Sequence, residues 1–115
     1  MKTLVALVGM RHRKTEALVA SLPNGEPLIL KREPLNPYDC NAVQVWARGT
    51  HVGYVPMKQN KPLAIAMDAA MLASPDKTDS QWIGKLTVDG SRYPLVEYDD
   101  QQGRPPAPKP EDEIG

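Results

Sequence analysis

Twelve prolines and eight glycines divide this chain of 115 residues so finely that its apolar, β-branched runs last only five to eight residues each. Proline removes a ladder donor and glycine weakens a strand interior, so short runs held between them are strands of a small β fold. The runs are Thr3 to Gly9, Glu16 to Leu22, Pro27 to Arg32, Ala42 to Ala47, His51 to Val55, Gln81 to Val88 and Tyr93 to Tyr98. Turn signals at Pro23-Asn24-Gly25, Arg48-Gly49-Thr50 and Asp89-Gly90-Ser91 separate them, the spacing of a small barrel or sandwich. The Arg48-Gly49-Thr50 link is short enough to make its flanking strands a hairpin. The opening MKTLVALVGMRHRK imitates a signal peptide, but its apolar run is brief and ends in basic residues without a small-residue cleavage site, so it is read as the first strand. No run approaches the roughly 20 apolar residues of a membrane span.

One segment keeps a different period. Between Asn60 and Ala73, Leu63, Ala66, Met67, Ala70 and Met71 fall at i, i+3, i+4, i+7 and i+8, a single stripe on an α-helix. Asn60 is the expected N-cap, Pro62 sits in the first turn where its missing N–H costs nothing, and Ser74-Pro75 stops the run. The stripe is read as core.

The length allows one modest core, assigned to residues 1–98. From Asp99 the chain loses apolar periodicity and packs four prolines between Pro105 and Pro110, so residues 99–115 are expected to be a disordered, proline-rich acidic tail. The net charge is zero but uneven: residues 1–58 carry eight basic and four acidic groups, residues 99–115 two and five. A basic body is compatible with a polyanion, and equally with a mixed solvated surface. The lone Cys40 excludes an internal disulfide and suits a reducing, cytoplasmic compartment.

Catalysis finds little support. Cys40 could pair with His12 or His51, but no nucleophile motif surrounds it, and a hydrolase built on it is the most remote reading. The histidines and carboxylates show no metal-ligand spacing, and the glycines form no phosphate loop, so neither a metal nor a cofactor is expected. Three clusters remain. Val8-Gly9-Met10-Arg11-His12-Arg13 ends a strand in a basic cluster. In Asn36-Pro37-Tyr38-Asp39, proline presets a turn and Asp39 can accept from a backbone N–H two residues on, with Tyr38 covering the core edge on the plain reading. His51-Val52-Gly53-Tyr54-Val55-Pro56 ends a strand in an aromatic residue before a proline stop.

The order V-G-M-R, then L-x-L-K-R-E-P-x-N-P-Y-D-x-N-A-V-x-V, then H-V-G-Y-V-P and an alanine-rich helix resembles the HIRAN domain, a module attached to some SNF2-type DNA-repair translocases and also found as a free-standing prokaryotic protein. The likeness runs from Val5 to Ala73 and continues less distinctly through the Gln81 to Val88 strand. It implies a mainly β fold, an OB-like or SH3-like small β-barrel of about six strands with one main helix over residues 60–73. It also implies a non-enzymatic module that captures the 3′-hydroxyl end of single-stranded DNA in repair- or replication-linked processes, associated with the nucleoid when bound.

Carried over by position, Arg11 binds a backbone phosphate, His12 lines the pocket, Tyr38 stacks on the terminal base and Asp39 accepts the 3′-hydroxyl. Asn36 supports the turn or touches the nucleotide, and Tyr54 and Lys58 contact the next nucleotide or its phosphate. This chain departs from the translocases in having His12 where they tend to place an aromatic residue, and it has no phenylalanine. An aromatic wall from the later strands has to come from Trp82, Tyr93 or Tyr98. The competing reading is an adaptor that keeps the fold but not DNA binding and meets a protein partner through the tail; the tail could also fold back on the basic surface. A monomer is expected.

Overall fold

The computed structural model describes residues 2–73, 81–88, 94–99 and 102. Six antiparallel strands form one sheet: β1 (Lys2–Ala6), β2 (Pro27–Arg32), β3 (Val43–Ala47), β4 (Thr50–Tyr54), β5 (Gln81–Thr87) and β6 (Leu95–Asp99). Their order across the sheet is β1-β6-β5-β2-β3-β4. The ladder is open between β4 and β1, but the chain just beyond β1 returns to β4. There Val8 and Tyr54 exchange both backbone hydrogen bonds, at 3.0 and 2.8 Å, so a single bridge curls the sheet's two edges together. The mainly β, barrel-like architecture expected from the short runs is therefore present, closed by one pair rather than a ladder.

Period-2 burial explains the strands. In β5, Trp82, Gly84 and Leu86 face inward and Gln81, Ile83 and Lys85 outward; Leu28 and Leu30 of β2 and Val43, Val45 and Ala47 of β3 do the same inward work. The β3–β4 hairpin turns through Arg48 (φ 51°) and Gly49 (φ 78°), two consecutive positive-φ residues that match the twist of the flanking strands. The main helix, α3 (Asn60–Ala73), lays Leu63, Ala64 and Met67 into the core, with Ala66 and Ala70 packed at its margin. Among the described residues no helix is long and apolar enough to cross a membrane.

Three expectations are corrected. The run Glu16 to Leu22 is not a strand: a single helical turn, α1 (Met10–Arg13), is followed by the short helix α2 (Glu16–Ser21). The buried residues here are Thr15, Val19 and Leu22, spaced i, i+4 and i+7, a helical stripe too short to be told from strand alternation by pattern alone. Thr15 Oγ1 donates to the Val52 carbonyl and fixes the start of α2 on β4. Asn60 begins α3 but its side chain reaches Asp39 in the preceding loop. Trp82 and Tyr98 are core residues, each 5% exposed, so neither forms a wall at the surface; Tyr93 lies outside the described residues. Of the tail, Asp99 ends β6 and the Gln102 side chain bonds both backbone groups of Ile83, at 2.8 and 2.7 Å; the rest of the expected tail, like Ser74-Pro75, lies outside the described residues.

Candidate functional site

The site is built on the loop from Glu33 to Ala42, most of whose backbone N–H groups are satisfied from within the loop. Glu33 N–H donates to Ala42 O (2.9 Å), Asn36 N–H to Glu33 O (3.1 Å) and Ala42 N–H to Asp39 O (3.1 Å). The Asn36 side-chain oxygen accepts from the N–H groups of Tyr38 (2.8 Å) and Asp39 (3.1 Å), and Asp39 Oδ1 accepts from Asn41 N–H (2.9 Å), the two-residue Asx geometry expected of it. Arg32, its side chain 5% exposed, clamps the loop from outside. It donates to the carbonyls of Ala42 (2.8 Å) and Cys40 (3.0 Å) and forks onto the Asp68 carboxylate of α3 at 2.8 and 3.1 Å. The exposed Cys40 therefore serves the fold through its carbonyl.

This rigid loop holds Tyr38 90% exposed, which rules out the plain reading in which its ring covers the core edge. Asp39 is held from a second side. Asn60, 2% exposed at the start of α3, donates to Asp39 Oδ2 at 2.7 Å, so both carboxylate oxygens are oriented and each retains an acceptor direction.

Opposite the loop stands β4. Tyr54 OH donates to Glu33 Oε1 (3.0 Å), Asn36 Nδ2 to Glu33 Oε2 (2.5 Å), and Gln44 Nε2 to Glu33 Oε1. One carboxylate thus ties the turn to β3 and β4. Burial acts to raise the Glu33 pKa, but the hydrogen bonds from Gln44, Asn36 and Tyr54 outweigh it and hold the carboxyl below its ordinary 4.5. Burial, with Glu33 as acceptor, raises the Tyr54 phenol, which stays a donor. His51 stacks on Trp46 (5.5 Å, 10°) and meets the Tyr54 ring edge-on (4.9 Å, 72°), with its Nε2–H directed at Gly53 O at 3.0 Å. Burial and the nearby Arg13 charge lower its pKa below 6.5, against the opposing pull of the Gly53 carbonyl and Glu33.

Glu33 and His51 both bind protons less readily folded than unfolded, so the unfolded chain gains more protons as pH falls and stability declines. Urea denaturation is expected to show a midpoint that is steady between about pH 6.5 and the onset of tyrosine ionisation near 10, falls through the His51 window below 6.5, and falls again below about 4.5 as Glu33 protonates. A His51→Gln variant should lack the first decline; an unchanged profile would show that His51 does not carry it.

Between loop and strand lies a cavity of about 580 Å³, lined by Val8, Gly9, Arg13, Asn36, Pro37, Tyr38, Asp39, Ala42, Tyr54, Val55, Met57 and Asn60. It is within the size range of small-ligand sites, and the lining is mostly apolar with a few convergent polar groups. Gly9 (φ 82°) turns the chain over it, where a Cβ would already touch Tyr54 Cδ2 at 3.4 Å.

Of the residues expected here, Asn36, Tyr38, Asp39 and Tyr54 come together on the cavity. Arg11 and Lys58 are exposed and lie outside its lining; His12 lies in α1, and the expectation for its side chain falls outside the described residues. Arg13, placed in the basic cluster but given no role there, also lines the cavity, as do Asn60 and Met57, which were not among the expected site residues. The helical turn explains the arginine: Met10 packs against the core, and Arg13, three residues on, shares its face.

Compared with known proteins, the chain matches the family described as HIRAN domain over residues 2–81. Curated proteins include no match. A crystal structure of a protein from Lactobacillus plantarum is similar at 26% identity and a TM-score of 0.58, covering 86% of this chain and 100% of that one. The crystal structure of the HIRAN domain of human HLTF is similar at 20% identity and a TM-score of 0.56, covering 90% of this chain and 80% of that one, a likeness of fold.

Proposed function

The chain belongs to the HIRAN domain family, and from that premise we propose that it is a non-enzymatic DNA-binding module that holds single-stranded DNA, preferentially by a free 3′-hydroxyl end. The observation that carries the reading is the pairing of an exposed Tyr38 ring with an Asp39 carboxylate oriented by Asn41 N–H and Asn60, both at the mouth of one cavity. A base offers a π-face to such a ring, worth about 1–3 kcal/mol per stacked base. A carboxylate accepts a hydrogen bond from a hydroxyl and repels a terminal phosphate, so the same residue selects the end. The exposed cations Arg11 and Lys58 stand outside the cavity lining, available to the backbone of a longer strand. Processes that leave free 3′ ends, such as repair or replication, supply this ligand.

The test is a titration of single-stranded oligonucleotides ending in 3′-hydroxyl or 3′-phosphate against the wild type and Asp39→Ala. The wild type is expected to favour the hydroxyl end by about tenfold, roughly the 1.4 kcal/mol of one charge-assisted hydrogen bond. Asp39→Ala should bind both ends alike. Equal binding of the two ends by the wild type, or none, would overturn the proposal, and capture of a protein instead would favour an adaptor.

A further inference from the structure

We propose that Arg13 is a phosphate-binding residue of this pocket, gripping the backbone phosphate that joins the terminal nucleotide of a bound strand to its neighbour; the assignment rests on the end-binding reading above. Among the described residues lining the cavity, Arg13 alone is cationic, and none of the described carboxylates pairs with it. Its Nε donates to the His51 carbonyl at 2.8 Å, which anchors the guanidinium on β4. A guanidinium has five N–H donors in a planar fork. One is engaged by that carbonyl, and among the described residues nothing takes the four on the two Nη atoms, which leaves them for oxygens of a ligand.

The position fits the chemistry. Tyr38 and Asp39 stand on one side of the cavity and Tyr54 on the other, and Arg13 comes from α1, which packs on β4. A terminal nucleoside whose base lies on Tyr38 and whose 3′-hydroxyl meets Asp39 has one phosphate left, on its 5′ side. A cation preset at the cavity wall meets that phosphate without first ordering a long free side chain, because the carbonyl tether already limits its rotamers. Lysine, a point charge on a flexible stem, lacks the planar fork that meets the carbonyl with one edge and a phosphate with the other.

The test uses the 115-residue chain and an oligonucleotide with a 3′-hydroxyl, either all phosphodiester or with an uncharged methylphosphonate at its last linkage. For the wild type, the methylphosphonate should weaken binding about tenfold and reduce the slope of log K against log salt by about 0.7. Arg13→Ala should show the same loss and the same smaller slope with the unmodified strand, and no further loss with the methylphosphonate, while keeping its preference for hydroxyl over phosphate ends. Arg13→Lys should keep the slope and lose part of the affinity, and it carries the test should the alanine variant fold poorly. If Arg13→Ala weakens binding at an unchanged slope, or its loss adds to that of the methylphosphonate, the side chain is structural and the proposal falls. A wild type that binds no single strand would instead remove the end-binding reading itself.

Discussion

Replacing Gly53 by alanine is expected to destabilise the protein by about 2–3 kcal/mol, the upper part of the range for overpacking a filled interior. A Cβ built at Gly53 falls far inside contact distance of the Val8 carbonyl oxygen and 2.8 Å from Leu7 Cδ1. The Leu7 methyl can shift, but the Val8 oxygen is fixed because it accepts from Tyr54 N–H in the pair that closes the sheet. The backbone must therefore move, and the pair must open with it. Urea denaturation should show a lower midpoint at an unchanged slope, and amide exchange should be fastest to rise at Val8 and Tyr54. Because Val8, Gly9 and Tyr54 line the cavity, DNA binding should fall even where the variant remains folded. A variant of wild-type stability would mean that the bridge does not contribute to closure.

Glu33→Ala is the second large effect. The carboxylate accepts from Asn36, Gln44 and Tyr54, side chains brought from the loop, β3 and β4. Removing it strands three donors at a half-buried site, where a hydrogen bond to a charged acceptor is worth about 1.5–3 kcal/mol and solvent recovers part of the loss. A net destabilisation of about 2–3 kcal/mol is expected. The functional consequence should be larger than the stability loss suggests. Asn36 orients the Tyr38 and Asp39 backbone, and Tyr54 forms the facing wall, so one deletion loosens both sides of the cavity. Affinity for a 3′-hydroxyl strand should drop about 10- to 100-fold at temperatures where the variant is folded, equivalent to about 1.4–2.8 kcal/mol. Glu33→Gln keeps the size but presents an amide N–H₂ to donors, and should recover little. Affinity retained at wild-type level in both variants would show that the carboxylate serves folding alone.

Much of this was legible in the chain. The β3–β4 hairpin follows from Arg48-Gly49. The α3 helix follows from a stripe long enough to fix its period, although Ala64 is buried where the stripe pointed to Met71. The turn at Asn36 to Asp39 follows from proline and two Asx residues whose hydrogen bonds reach only two or three positions along the chain. The same motif quoted for its family likeness contains Arg32 and Glu33, yet their work is invisible in it, because their partners lie at Asp68, Gln44 and Tyr54.

Local signals of this kind determined by themselves that the chain is a small β fold with one main helix and a preset polar turn, because turn geometry and periodicity act between residues that are neighbours in sequence. Tertiary structure alone decided that Glu16–Ser21 is helical, since a six-residue run takes the conformation that buries Val19 against its neighbours. It also decided which arginine reaches the cavity. In an extended strand end Arg11 and Arg13 would share a face, whereas a single helical turn sets Arg13 on the side of Met10 and leaves Arg11 outside the cavity lining. Asn60 and Asp39 are 21 residues apart and meet only because α3 docks on the loop. Convergence across such distances depends on how elements pack, and packing is settled by the whole core at once rather than by any stretch of chain.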